Sequence, residues 1–229
     1  MGSSPAGRAN FGTKMRPREK LGVVSFGGKV NLMGSDNQIA GERPEAPGTI
    51  RDAIPERDAE VCRDIYAPYV RDTAVSFEES VPTLEEFQGR IRKTTATHPW
   101  LVMEIAGKVV GYAYASQHRP RAAYRWTAEV TVYIDAHHHR RGVGRRLYAE
   151  LLGRLRRQGF RLAVAGITLP NDASVGLHRA MGFEPVGVYE RIGWKAGAWH
   201  DVGWWQLDLR PGTTAAPREP LPPEPPATH

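Results

Sequence analysis

His139-Arg140-Arg141-Gly142-Val143-Gly144-Arg145-Arg146-Leu147 is the stretch that decides how this chain is read. Before it runs Val130-Thr131-Val132-Tyr133-Ile134, β-branched and aromatic, which predicts a strand. After it Leu147, Tyr148, Leu151, Leu152 and Leu155 recur at helical spacing, and Gly159 supplies a stop. The order is therefore strand, tight basic loop, helix N-terminus. Gly142 and Gly144 let backbone approach a ligand with no Cβ in the way. The unpaired N–H groups and dipole of the helix start add positive potential. Arg140, Arg141 and Arg145 add full charges. Such a loop suits a diphosphate; a tight turn with solvated arginines is the plainer alternative. There is no Walker-type Gly-Lys-Ser/Thr and no Gly-x-Gly-x-x-Gly, so two other phosphate-binding folds are set aside.

The chain has 229 residues, 41% of them hydrophobic, enough for one well-buried domain with residues to spare for tails. No apolar run is long enough to span a membrane. The N-terminus lacks the charged start and apolar core of a secretory signal. One cysteine, Cys62, excludes an internal disulfide framework and fits a reducing cytoplasm. It falls on the apolar face of an expected helix and reads as core. The net charge of +6 would suit nucleic acid. The basic residues, however, concentrate in the phosphate loop, its helix and the tails, so a diphosphate-bearing ligand is preferred and no nucleic-acid partner is expected.

Residues 1–48 show no sustained period and are expected to be a flexible leader. Met15 and Met33 raise the alternative of a downstream start, and Leu21–Phe26 is the one candidate strand there. The domain is assigned to residues 49–209. Thr49–Ala53 reads as a strand, and Pro55 opens a helix with Cys62, Ile65, Tyr66 and Tyr69 on one face. Thr83 and Glu86 form a capping box ahead of Leu84, Phe87 and Ile91. Trp100–Ile105 and Val109–Ser116 are strands joined at Ala106-Gly107-Lys108. Leu162–Thr168 is a further strand and Ala173–Met181 a short helix, while 184–209 is aromatic, Gly-rich β structure. Prolines 211, 217, 220, 222, 223, 225 and 226 make 210–229 a tail without regular structure, expected to be disordered.

The glycine loop resembles the pyrophosphate loop of the GNAT acetyltransferases, with His139 where that family usually has Gln or Arg. The element order β-α-α-β-β-β-α-β-α-β-β is also theirs. The expected fold is thus α/β, a mixed central sheet with helices on both faces. The resemblance implies acetyl-CoA as co-substrate and no metal. It places the pantetheine arm on the backbone of Val132, Tyr133 and Ile134. The diphosphate falls on Arg140, Arg141, Gly142, Val143, Gly144 and Arg145, with Asn171 and Ser174 beside the arm. Asn171 or Asp172 could equally cap the following helix. Three consecutive histidines, His137 to His139, cannot easily converge on one ion, so a zinc reading is rejected. His200-Asp201 reads as structural or at a dimer contact.

The resemblance narrows over longer stretches. Trp126-Thr127-Ala128-Glu129-Val130-Thr131-Val132-Tyr133, Leu169-Pro170-Asn171-Asp172-Ala173-Ser174-Val175 with Leu177-His178, and Gly197 to Gln206 are similar to the phosphinothricin and methionine sulfoximine N-acetyltransferases. So are Tyr66-Ala67-Pro68-Tyr69-Val70, Val75-Ser76-Phe77-Glu78 and His98-Pro99-Trp100-Leu101-Val102. Members acetylate the α-amine of phosphinothricin, methionine sulfoximine or methionine sulfone. The resemblance implies a detoxification or resistance role and a homodimer. Glu129, a carboxylate in an otherwise apolar strand, is the candidate base; a salt-bridged strand glutamate is its alternative. His178 is the second proton-handling candidate, against a helix histidine bonded to a carbonyl. Arg119, Arg121 and Tyr124, with Phe77, are the candidate substrate contacts, since guanidinium groups bind carboxylates and phosphinates in bidentate fashion. Arg125 departs from the herbicide-resistance pattern. Two other readings are an acetyltransferase for a different small amine or protein N-terminus, and a non-catalytic acyl-CoA-binding regulator.

Overall fold

The computed structural model describes residues 48–223. The candidate strand Leu21–Phe26 and most of the expected leader lie outside the described residues. Eleven main elements follow in the order read from the sequence: β1 (Thr49–Asp52), α1 (Pro55–Arg71), α2 (Leu84–Thr95), β2 (Trp100–Ile105), β3 (Lys108–Gln117), β4 (Thr127–Ile134), α3 (Val143–Gln158), β5 (Leu162–Leu169), α4 (Asp172–Ala180), β6 (Glu184–Lys195) and β7 (Ala198–Asp208). Among the described residues no helix is long and apolar enough to cross a membrane.

Local chemistry sets the boundaries. The capping box forms as expected: Glu86 N–H donates to Thr83 Oγ1 at 3.2 Å and Thr83 N–H to Glu86 Oε2 at 2.8 Å. Gly159 ends α3 in the left-handed region, φ +99°. α1 starts without a capping side chain at Ile54. Asp58, one turn in, takes over and accepts the Ile54 N–H at 2.7 Å. Its carboxylate, 1% exposed, also receives both Nη groups of Arg51 at 2.6 and 2.7 Å. Arg51 reaches on to Glu104, so one charge cluster ties β1, α1 and β2.

The seven strands form one sheet in the order β1-β2-β3-β4-β5-β7-β6. All neighbours are antiparallel except β4 and β5. Two cores cover its faces. On one, α3 buries Leu147, Tyr148, Leu151, Leu152 and Leu155 against Ala128 and Val130 of β4 and Ala163 and Ala165 of β5. On the other, α1 and α2 bury Cys62, Ile65, Tyr66, Phe87 and Ile91 against Trp100, Val102 and Tyr112. Cys62 is fully buried, and burial pushes its thiol pKa well up, so it is core and not a nucleophile.

Residues 211–223 hold no helix or strand, but they lie against the domain, which differs from the disorder expected of them. Leu221 N–H donates to Gln158 O at 2.7 Å, and Gln158 Nε2 donates to Leu221 O at 2.8 Å. Trp126 Nε1 donates to Arg218 O at 2.7 Å, and Arg125 pairs with Glu219 at 2.7 Å. Proline has no N–H to lose, so an extended Pro-rich strap can spend its few remaining backbone groups on partners like these.

His98 lies under this strap, 9% exposed, its ring 5.2 Å from that of Phe160. Burial lowers its pKa from 6.5 to about 4. Between those values the unfolded chain binds a proton that the folded chain refuses. Stability should therefore fall as pH drops from about 6.5 to about 4 and level off below, by about 3 kcal/mol from this group. Urea unfolding across that range, wild type against His98→Asn, should show the extra pH slope in the wild type alone; parallel curves would mean that folded His98 accepts the proton.

Candidate active site

β4 and β5 are paired only over Thr127–Glu129, against Leu162–Val164. Beyond Glu129 they part. β4 stays paired with β3 up to Ile134, and β5 stays paired with β7 up to Leu169. The edge of Val130–Ile134 that faces β5 is thus an open row of backbone donors and acceptors. An extended amide-bearing arm can add to it as another strand would. Val132, Tyr133 and Ile134 lie in this row. The Ile134 carbonyl already accepts from Tyr69 Oη at 2.7 Å.

The cleft ends at the basic loop. Arg140 (φ +58°) and Gly142 (φ +77°) are left-handed, and Val143 begins α3 straight after. Successive N–H groups in that conformation make an anion-binding concavity at a helix N-terminus. Arg140, Arg141 and Arg145 are exposed around it. The residues present therefore fit a diphosphate at the loop and an amide-bearing arm along β4. Gly144 has a packing reason as well: a Cβ there would lie 3.1 Å from Leu177 Cδ2. The histidine triplet disperses. His138 Nδ1 lies 3.1 Å from Asp135 Oδ1, while His139 Nε2 lies 3.1 Å from both Tyr69 Oη and Ile134 O. Among the described residues no group of three or more His, Cys, Asp or Glu is placed to hold a metal ion.

Alternation along β4 sorts its side chains. Ala128, Val130, Val132 and Ile134 pack toward α3, and Tyr133 packs toward α1. Glu129 and Thr131 share the face of Tyr133. Glu129 is opposite Ser116 of β3, and Thr131 opposite Tyr114. A cavity of about 230 Å³ opens on this face, lined by Tyr66, Glu78, Arg90, Tyr114, Ser116 and Tyr133 among others. Burial raises the pKa of the Tyr114 and Tyr133 phenols, and that of Tyr66 to about 12, so all three stay neutral donors. Arg90 and Glu78 form a two-pronged pair at 2.6 and 3.1 Å. Sequence reading missed Arg90, Tyr114 and Ser116. Period-two alternation from Glu129 across β3 would have found the last two.

His118 was missed too. It stands just past β3, and its Nδ1 lies 3.2 Å from Glu129 Oε2. Its ring meets those of Trp204 and Tyr124 edge-on, at 5.7 and 6.4 Å. The loop bearing Arg119, Arg121 and Tyr124, all exposed, thus begins beside the glutamate. Arg125 turns away, stacked on Trp126 at 4.0 Å and paired with Glu219 of the tail. Phe77 fits against β6, where a Cβ on Gly193 would come within 2.3 Å of its ring. Lys195 locks the hairpin down by donating to the Val70 and Ser76 carbonyls, each at 2.6 Å.

His178 is not brought to Glu129. It is 3% exposed and lies on the α3 side of the sheet. Its Nδ1 meets Ser174 O at 2.8 Å and its Nε2 meets Tyr148 Oη at 3.1 Å. Burial lowers its pKa, so it is neutral at pH 7. Asn171 caps α4, its Oδ1 accepting the Ser174 N–H at 3.1 Å. His200 and Asp201 are not a working pair either: His200 Nε2 meets Lys195 O at 3.0 Å, and Asp201 accepts the Arg191 N–H at 2.7 Å.

The family model described as an acetyltransferase (GNAT) domain matches residues 51–204. The chain is 42% identical to a phosphinothricin N-acetyltransferase of Streptomyces viridochromogenes over 76% of its own length and 95% of the relative. It is 37% identical to an L-methionine sulfoximine/L-methionine sulfone acetyltransferase of Pseudomonas paraeruginosa over 67% of its length and 90% of that relative. A crystal structure of a Sinorhizobium meliloti phosphinothricin acetyltransferase in complex with acetyl-CoA superposes with a TM-score of 0.72, at 36% identity, over 75% of this chain and 94% of that one. A splayed strand pair ending at a diphosphate loop, a matching family model and these relatives lead to one statement: the chain belongs to the GNAT acetyltransferases and is an acetyl-CoA-dependent N-acetyltransferase.

Proposed function

We propose that the acceptor is the α-amine of an amino acid whose side chain ends in a tetrahedral, oxygen-bearing head: phosphinothricin, methionine sulfoximine or methionine sulfone. The observation that carries this reading is Glu129, at the last residue where β4 and β5 are still paired and directly across from Ser116, which lines a pocket with Tyr66, Tyr114, Tyr133 and the Arg90–Glu78 pair. Acetyl-CoA supplies the thioester. Transfer forms a C–N bond and breaks the thioester C–S bond; the ammonium group loses two protons in all, one before attack, passed through the base to solvent, and one after the C–N bond has formed, which balances the proton taken up by the departing thiolate. Glu129 takes the amine's proton. Arg119 and Arg121 hold the substrate carboxylate, with Tyr124 and Phe77 bounding the site. Tyr66, Tyr114 and Ser116 suit the oxygens of the head. Asn171 and Ser174 flank the arm of acetyl-CoA, and His178 orients that side of the site through α4, with no proton step assigned to it.

We place the enzyme in the cytoplasm as a homodimer with a detoxifying, resistance-conferring role. Support for the dimer is the β6–β7 hairpin, which exposes Val186, Val188, Tyr189, Ile192, Trp194 and Trp199, each by about half or more. Large apolar and aromatic side chains exposed together on one hairpin are the kind of surface that a second copy covers. Analytical ultracentrifugation at micromolar concentration should give a dimer, and Trp194→Glu should shift it to monomer. A wild-type monomer at every concentration removes the claim.

Two substitutions test the site. Gly144→Ala requires only that Leu177 yield by a few tenths of an ångström. Gly144→Asp adds a carboxylate where phosphates belong. Calorimetry should find acetyl-CoA affinity reduced far more by Asp than by Ala, and equal losses would reassign Gly144 to packing. Glu129→Gln should lower kcat by about 10²–10⁴-fold while acetyl-CoA still binds. Raising the pH should restore part of the rate, because more amine then arrives deprotonated. Near-full kcat at pH 7 on the best of the three acceptors would remove Glu129 as base.

A further inference from the structure

The Glu129 carboxylate does not stand alone. His118 Nδ1 lies 3.2 Å from its Oε2, with the two side chains 17% and 35% exposed. Three different elements hold the imidazole: it leaves the end of β3, meets the Trp204 ring of β7 edge-on, and meets the Tyr124 ring of the short turn Ala122–Tyr124. Glu129 on β4 is the acidic group facing it, Tyr124 brings a phenol and Trp204 a neutral indole. Arg119 and Arg121 follow on its own loop. An imidazole held this way has no use as a metal ligand here, and it is too exposed to be explained as core.

We propose that His118 is a positioning residue for the acetyl transfer, acting through Glu129. Its Nδ1–H donates to Oε2, which fixes the carboxylate plane and leaves Oε1 to face the acceptor amine. The inference rests on the reading of Glu129 as base. A neutral imidazole orients the carboxylate without weakening it. The same ring touches Tyr124, so the loop that would hold the amino-acid carboxylate and the base that would take its proton are set by one side chain.

The test uses full-length enzyme, acetyl-CoA and methionine sulfone, with kcat and both KM values measured from pH 5.5 to 9. His118→Phe keeps a ring but removes the donor. It should lower kcat about 10–100-fold, the scale of a misplaced reacting group, and leave KM for acetyl-CoA unchanged. His118→Asn puts an amide N–H where Nδ1 was, without a titrating group. It should restore most of kcat at pH 8. His118→Phe in a Glu129→Gln background should add no further loss, because the two act as one unit. If Glu129→Gln is slow but His118→Phe keeps wild-type kcat, His118 is packing alone and the inference fails while the base assignment stands. Should His118→Phe fail to fold, His118→Ala takes its place, and a folded His118→Ala enzyme with wild-type kcat overturns the inference equally. If Glu129→Gln keeps full kcat, the base assignment fails first and this inference goes with it.

Discussion

The structure depends on β4 and β5 separating after three paired residues. Parallel strands that could pair for eight residues instead leave five residues of β4 without a partner on one side. Leaving backbone polar groups away from both water and partners costs free energy, so such a gap persists only where something holds the strands apart. Each strand has its own anchor. β4 is bound along Ala128–Ile134 by β3, and β5 along its whole length by β7. The gap is thus over-determined by the two half-sheets that meet there. It leaves hydrogen-bonding capacity aimed outward, toward whatever extended group enters.

The gap also connects two environments that the sheet otherwise keeps apart. On the α3 side lie the basic loop, the helix N-terminus and the aliphatic core. On the α1 and α2 side lie phenols, a serine, the Arg90–Glu78 pair and Glu129. A large ligand with a diphosphate at one end and a thioester at the other suits the first side, and a small polar amino acid suits the second. The two sides communicate next to the last paired residue, where the proposed reaction is located. Tyr114 and Tyr133 matter here for what they do not do. Burial keeps their phenols neutral, so they offer hydrogen bonds without adding charge that would compete with the glutamate.

The element order and the loop were legible in the sequence because their signals are local. A β-branched strand, a Gly-x-Gly turn, a leucine stripe and a terminal glycine are read within twenty or so residues, and the Thr83–Glu86 box within four. The face on which Glu129 points was legible too, through alternation. What escaped was everything set by contacts between distant elements. His118 gives no signal in its own neighbourhood; it matters because β3 ends level with Glu129 and β7 supplies Trp204 from the far side. Arg90 looks like any helix-surface arginine until α2 is laid over the pocket. His178 was chosen for its position in a motif, yet its two ring nitrogens face Ser174 and Tyr148. The tail was read from proline content, which rules out regular structure but not docking: Leu221, Arg218 and Glu219 find partners on the domain.

Charge placement follows from the same geometry. The chain carries a net +6, and a carboxylate surrounded by arginines is held ionised. Arg119 and Arg121 lie on the loop neighbouring Glu129, but other arginines are paired or lie away from it. Arg140, Arg141 and Arg145 surround the helix start at the far end of the β4 edge, with five residues of strand between Glu129 and the loop. The Arg125 charge is spent on Trp126 and Glu219. Arg90 is neutralised by Glu78 within the pocket itself. Arg51 and Arg57 are taken up by Asp58 and Glu104 at the opposite edge of the sheet. Around Glu129 stand a serine, neutral tyrosines and the imidazole of His118, with Arg119 and Arg121 following on the loop that begins beside it. An exposed surface can stay strongly basic and attract a polyanionic co-substrate at long range, while much of the charge nearer the sheet is taken up in pairs.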